Sequence, residues 1–248
     1  MTTQGLRVLV TGSAGHIGRA ACAGLRDAGH WVRGFDQRQS VGVDEAVQGD
    51  LSERAAVDEA ARGMDVIVHL GATPFDQPFM QQILPNNIVG VYNVLEAARE
   101  AGVRRVLLAS SGQVVMGHPG PWPVTPDMLP APRNWYAAAK VLSESAGQIY
   151  AHVHGMQVLV VRLGWCPRDA DHAAELAQDE AGKDAYLSWR DAGRFFACAV
   201  SAPLDSPYHI VFATSRPYRN TRYDISNTRA LLGYEPLDRW PSGTEDLS

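Results

Sequence analysis

The chain reads as an α/β protein built on a doubly wound parallel sheet, and three observations predict this. Short apolar runs alternate with helix-period stretches through residues 7–163. The runs are near-continuous in apolar character, as strands buried on both faces must be. A glycine-spaced turn joins the first run to the first helical stretch.

The elements follow in order. Arg7–Val10 reads as a buried strand, and Ile17–Ala28 as a helix with Ile17, Ala20, Ala21, Leu25 and Ala28 on one face. Gly29 is placed to stop it. Trp31–Phe35 is a second strand and Ala46–Val47 a short third. Ser52 is the expected cap of a helix running to about Arg62. Asp65–Leu70 is a fourth strand, and a helix from about Asn87 to Ala101 leads to a fifth, Arg104–Ala109. Tyr136–His154 is helical and Gln157–Leu163 is a sixth strand. Pro119–Pro132 is the one long irregular stretch, a place where compact domains keep functional loops. Residues 1–163 are expected to form the main sheet. Residues 164–248 are expected to form a small substrate-binding cap, interleaved with the sheet in one compact unit.

Composition narrows the function. The 248 residues carry 22 Lys plus Arg against 27 Asp plus Glu, a net charge of −5. That balance disfavours nucleic acid and anionic membranes as partners. The hydrophobic fraction of 46% and charged fraction of 20% exclude a disordered chain. Cys22, Cys166 and Cys198 are too scattered for a disulfide framework, and no Cys/His grouping suggests a metal. The N-terminus lacks the pattern of a signal peptide, and no apolar stretch approaches membrane-spanning length, so a cytoplasmic protein is expected.

The chemistry-bearing residues begin at the first turn. Thr11-Gly12-Ser13-Ala14-Gly15-His16-Ile17-Gly18 spaces its glycines as GxxGxxG. Gly12 permits the tight turn, Gly15 lets backbone approach a pyrophosphate, and Gly18 lets helix and strand pack closely. The helix N-terminus behind them offers unpaired N–H groups to an anion. This is the pattern of a dinucleotide-binding Rossmann fold. Asp36, at the end of the second strand, suits an adenosine ribose and repels a 2′-phosphate, which favours NAD over NADP. Arg33 and Arg38 stand nearby. Tyr136 and Lys140 form a YxxxK pair, and i and i+4 share a helix face. A neighbouring ammonium favours the phenolate and suits the tyrosine to act as a base on an alcohol. Ser110-Ser111 closes the fifth strand, where open α/β sheets bind ligands.

The motifs TGSAGHIG (11–18), Asp36, Asp50-Leu51, HLGA (69–72), NNIVGVYNVLEAA (86–98), ASSG (109–112), YAAAK (136–140) and Arg162-Leu163-Gly164 resemble, in that order, the extended short-chain dehydrogenase/reductases of the NAD-dependent epimerase/dehydratase family. The resemblance covers residues 6 to about 200. It implies an NAD cofactor held by Gly12, Gly15, His16, Ile17, Gly18, Asp36, Asp50, Leu51, Leu70, Gly71, Ala72, Asn87, Tyr136 and Lys140. It also implies a catalytic set of Ser111, Tyr136 and Lys140. HLGATPFDQPF, ILPNNIVGVYNVLEAAR, LLASSGQVVMG, LSWRDAGRFF and LLGYEP resemble the uronate dehydrogenases in particular. The implied activity is NAD-dependent oxidation of a hydroxyl on a small sugar or sugar acid, with Pro74, Ser111, Gly112, Gln113, Tyr136, Trp165 and Cys166 lining the substrate.

Several of those positions depart from the uronate dehydrogenase pattern. Gly112-Gln113 stands where that family has Asn-His, Pro74 where it has a serine, and Trp165-Cys166 where it has Ser-Ser. No arginine in 174–186 matches the one that clamps the uronate carboxylate, leaving Lys183 and Arg190 as replacements. His69 is expected to pack in its strand, and Cys166 to be a wall and not a reactive thiol. His118 and Trp122 are placed to line a pocket or a surface loop. Arg216, Tyr218, Arg219, Arg222 and Tyr223 form an aromatic–basic cluster suited to an anion, a subunit contact or a solvated loop.

A nucleotide-sugar epimerase shares this core, but the stretch after Leu163 is short for a domain that holds a nucleotide diphosphate. A dehydratase is expected to carry acids after the serine, where Gly112-Gln113 stands. A regulatory protein that binds NAD without turnover typically loses Tyr136 or Lys140, and this chain keeps both. A homo-oligomer is expected, pairing through the helices that start near Asn87 and Tyr136.

Overall fold

A computed structural model describes residues 5–119, 123–245 and 247. Trp122 lies outside them. Seven strands form one all-parallel sheet: β1 (Arg7–Thr11), β2 (Trp31–Asp36), β3 (Glu45–Gln48), β4 (Val66–His69), β5 (Arg105–Ser111), β6 (Gln157–Leu163) and β7 (Tyr208–Ala213). Their order is β3-β2-β1-β4-β5-β6-β7, so the strand order reverses between β1 and β4. In register, Thr11 stands opposite His69, and Ser111 opposite Leu163. The crevice outside the carboxyl ends at such a reversal is where this architecture binds ligands.

The helices are α1 (His16–Asp27), α2 (Arg54–Ala61), α3 (Gly90–Glu100), α4 (Trp135–His154), α5 (Ala170–Gln178), α6 (Glu180–Lys183), α7 (Trp189–Ser201) and α8 (Ser226–Leu232). One apolar core joins β1, α1 and the inner side of β4–β6 to α7, β7 and Tyr234. A second lies between the sheet and α2, α3 and α4. The C-terminal third therefore supplies an edge strand, β7, and a covering helix, α7.

Three local readings change. Ser52 does not cap α2; its hydroxyl donates to Asp50 Oδ1 at 2.8 Å, and Glu53 holds the cap position without a side-chain bond. The helix expected from Asn87 is preceded by a π-helical segment, Phe79–Val89, that contains Pro85. Proline has no N–H to give, so the wider winding accommodates a residue that reads as a boundary. β7 was not anticipated, because an edge strand with a half-buried start lacks the continuous apolar run of its neighbours.

Candidate active site

The turn from β1 to α1 is shaped by what its glycines lack. Gly12 has φ +71°, and a Cβ there would lie 2.6 Å from Gly71 N on the chain leaving β4. At Gly18 a Cβ would lie 2.8 Å from Gly12 C and from Ser13 Cα. Gly15 occupies the cap position of α1 and brings no side chain to it, so the first N–H groups of the helix have no side-chain acceptor. Backbone donors and the positive dipole end thus face one point, as an anion site requires.

Asp36 closes β2 beside this turn. Its Oδ2 accepts from Ala14 N at 3.1 Å and its Oδ1 from Arg38 N at 2.9 Å. The Arg38 side chain folds back to 3.7 Å from Asp36 and donates to Ala14 O. A cleft of about 320 Å³ starts here, lined by Gly12, Gly15, Asp36, Leu51, Asn86 and the run Leu70–Ala72 with Pro74. A bare glycine turn, an uncapped helix N-terminus and a carboxylate at the end of β2 fit the pyrophosphate and ribose of a dinucleotide.

The cleft walls are pinned from behind. Asp50 spends its carboxylate on Ser52 and Gln37. Leu51 presses on Gly71, and its carbonyl accepts from the buried Asn93 at 2.8 Å. Asn87 is also buried and uses both ends of its amide on Thr73, accepting from Thr73 N at 2.7 Å and donating to Thr73 O at 3.0 Å. Within the protein it therefore anchors the loop after β4. His69 is packed as expected, with Nδ1 2.7 Å from Thr11 Oγ1 and a pKa lowered to about 3 by burial and then by Lys140.

The reacting end lies at the tips of β5 and α4. Ser110 turns away from the cleft and donates to Glu144 Oε1 at 2.6 Å. Ser111 acts on the Tyr136 phenol, favouring its ionised form, and accepts from Gln113 N at 3.2 Å. Lys140 is 4% exposed, donates from Nζ to Ala109 O at 2.8 Å, and stands 5.8 Å from the centre of the Tyr136 ring. Sequence, local structure and placement agree: one strand tip and one helix turn bring Ser111, Tyr136 and Lys140 together.

The electrostatics differ from the sequence expectation. Lys140 was expected to lower the tyrosine. In the structure burial dominates and pushes the phenol up to about 12, with Ser111 as the group pulling it down. The lysine itself is lowered by burial to about 8, against a raising influence from Glu144. Glu144 is the residue that sequence reading missed. It forms a buried two-point ion pair with Arg162, at 2.9 Å from Nε and 2.9 Å from Nη2. Arg162 was legible only as part of a motif.

The turn that carries Tyr136 is fastened on two sides. Asn134 caps α4, accepting from Ala137 N at 2.8 Å, and donates to Gln113 Oε1 at 3.0 Å. Asp76, from the loop after β4, accepts from Trp135 N and Tyr136 N at 3.1 and 3.3 Å. Gln113 is thereby partly spent on holding α4. Gly112 is backed by Tyr223, whose Cζ would lie 2.8 Å from a Cβ. Tyr223 stacks on Phe212 and is packed inside the molecule, apart from the aromatic–basic cluster in which the sequence grouped it. His118 contacts Leu129 O at 2.7 Å.

Beyond β6, Trp165 pairs through its backbone with Ala185 and Leu187. Cys166 has its thiol pushed up to about 12 by burial, which suits a wall. Phe75, at φ +61°, brings its ring against His172 at 5.4 Å and under Arg168 at 4.6 Å. The loop after β4 and the segment after β6 therefore meet across the cleft.

Comparison with known proteins decides the kinship. The family model for the NAD dependent epimerase/dehydratase family matches residues 8–165, the part that contains the turn, the cleft and the Tyr136–Lys140 helix. The chain belongs to this family. NAD is its cofactor, as Asp36 at the end of β2 suggests. Among relatives, an NAD-dependent glucose-6-phosphate dehydrogenase of Haloferax volcanii is 32% identical, covering 93% of each chain. An L-arabinose 1-dehydrogenase (NAD(P)(+)) of the same organism is also 32% identical, over 94% of this chain and 96% of that one. A solved uronate dehydrogenase from Agrobacterium tumefaciens superposes with a TM-score of 0.80, at 30% identity over 95% of this chain and 86% of the other. The chain is accordingly an NAD-dependent dehydrogenase of the epimerase/dehydratase family, close to the uronate dehydrogenases.

MoeE5 in complex with UDP-glucose and NAD has the same fold at 22% identity, with 96% of this chain and 95% of that chain covered. Neither proposed replacement for the carboxylate clamp is a free cation: Lys183 pairs with Glu180 at 2.6 Å, and Arg190 with Asp238 at 3.1 Å. In the basic cluster, Arg219 pairs with Glu180 and Arg216 donates to Pro236 O. Among the described residues, no helix is long and apolar enough to cross a membrane.

Proposed function

We propose that this enzyme oxidises a hydroxyl of a small sugar or sugar acid, using Ser111, Tyr136 and Lys140. The observation that carries the reading is the buried Lys140 ammonium 5.8 Å from the centre of the Tyr136 ring, with Ser111 at the facing strand tip acting on the same phenol. NAD, when bound, supplies the hydride acceptor. Ser111 orients the substrate oxygen, and Tyr136 takes its proton. Lys140 stabilises the phenolate that accepts this proton, because a buried cation acts at low effective dielectric. Gly12, Gly15, His16, Ile17 and Gly18 hold the pyrophosphate, and Asp36 the adenosine ribose. Asp50 and Leu51 flank the adenine, and Leu70, Gly71 and Ala72 run along the cofactor. Asn87 serves through Thr73, and Lys140 also reaches the nicotinamide ribose.

Pro74, Gly112, Gln113, Trp165 and Cys166 shape the sugar pocket. Arg168, 49% exposed in its side chain, stacks on Phe75 and pairs with Asp169 at 3.1 Å. Relatives named for uronates and glucose 6-phosphate favour an anionic sugar. A second copy of the chain covers the face of α3 and α4, where Tyr92, Leu142, Ile149 and Val153 are exposed. The test is an NAD-reduction screen over hexuronates, aldose phosphates and neutral aldoses. Turnover of at least one class is expected, with the anions ahead. Tight NAD binding with no turnover on any of them would overturn the reading.

A further inference from the structure

One imidazole beside the phosphate turn has a hydrogen-bonding role that the fold does not satisfy. His172 lies in the first turn of α5 and is 8% exposed. Its Nε2 is 2.7 Å from Nε1 of Trp165. An indole N–H only donates, so Nε2 is the acceptor. Burial, and then Arg168, hold the ring below its ordinary pKa and therefore neutral at physiological pH. The single ring proton is then on Nδ1. That N–H is buried and has no partner within the protein. Buried donors of this kind are rare, because an unmade hydrogen bond costs the desolvation of the group.

Its surroundings point to an anionic acceptor. His172 acts electrostatically on His16, the first residue of α1, whose Nε2 is likewise buried without a partner. Asp169, which caps α5 by accepting from His172 N at 2.8 Å, acts on the same His16. The start of α5 is thus set beside the uncapped start of α1. The indole of Trp189 donates to His16 O at 3.2 Å and steadies the turn from the α7 side. The Phe75 ring closes a further side of His172. His172 Nδ1 and His16 Nε2 are both buried without a partner, and the first N–H groups of α1 have no side-chain acceptor.

We propose that His172 is a cofactor-binding residue: its Nδ1–H donates to an oxygen of the NAD pyrophosphate, so that α5 closes the phosphate end of the cleft. The Trp165–His172 bond fixes the tautomer that makes this donation possible. The cap thereby takes part in holding the dinucleotide as well as the sugar.

The test is calorimetric titration of NAD, ADP-ribose and adenosine into three variants. His172→Asn keeps an N–H donor near the Nδ1 position. His172→Asp has the same shape but only accepts, and His172→Phe keeps a ring without a donor. A charge-assisted hydrogen bond predicts a loss of roughly 10-fold to 100-fold in NAD affinity for Asp and Phe. ADP-ribose should lose as much, adenosine should be unchanged, and Asn should stay within a few-fold of the parent. If Phe fails to fold, the Asn/Asp contrast carries the test. Unchanged NAD affinity in Asp and Phe overturns the proposal, and so does a loss in Asn equal to that in Asp. A raised KM for sugar with unchanged NAD affinity would assign the donor to the substrate instead, which also overturns it.

Discussion

Gly24→Ala separates local propensity from packing in the helix that carries the phosphate turn. Gly24 lies inside α1, where alanine in place of glycine favours a helix by ~1 kcal/mol. On propensity alone the variant is more stable. In the structure Gly24 faces Gly193 of α7. A Cβ at Gly24 would lie 2.8 Å from Gly193 Cα and closer still to its carbonyl oxygen, whereas ordinary contact begins at 3.4 Å. The nearest contact, Gly193 O, asks the helices to part by about 1.1 Å, against rigid backbone and not a flexible side chain. Overpacking of this kind costs ~1–3 kcal/mol, and backbone contact places it at the upper end. The net expectation is destabilisation by ~1–2 kcal/mol, or a fall in Tm of roughly 2–8 °C for a chain of this size. Urea titration with a thermal melt measures it. A rise in Tm would refute the claim that α7, from the C-terminal third, packs directly on α1.

Three further predictions concern charge. Glu144→Ala leaves Arg162, 1% exposed in its side chain, as an unpaired buried cation, and stability should fall by ~3–5 kcal/mol in a denaturant titration. Glu144→Gln keeps the shape but removes the charge that raises Lys140, so the loss of rate as Lys140 deprotonates near pH 8 should begin at lower pH. A pH–rate profile identical to that of the parent would contradict this link. Asp36→Ala should weaken NAD binding and improve NADP relative to it, read as the ratio of the two kcat/KM values; a parent enzyme that already prefers NADP would defeat the assignment of Asp36.

The fold was legible wherever burial leaves a periodic trace. β1, β4, β5 and β6 are continuous apolar runs because both faces are covered, and the glycine turn is legible because each glycine answers a steric demand. What was not legible is contact between distant segments. Glu144 looks like an ordinary helix acid until β6 places Arg162 against it. Asp76 looks like a loop acid until it meets the backbone of Trp135 and Tyr136, and no spacing rule joins His172 to His16. Lys140 shows the limit for energetics: the i and i+4 geometry was right, but burial, which sequence does not state, reverses the expected direction of the Tyr136 shift.

The central claim is that Tyr136 moves the proton while the rest of the site binds. The most direct measurement is Tyr136→Phe, assayed for NAD reduction with an accepted sugar and, separately, for NAD affinity by calorimetry. The expected result is a fall in kcat of roughly 10²- to 10⁴-fold with NAD affinity within about twofold of the parent. Parent-like turnover in this variant would contradict the account.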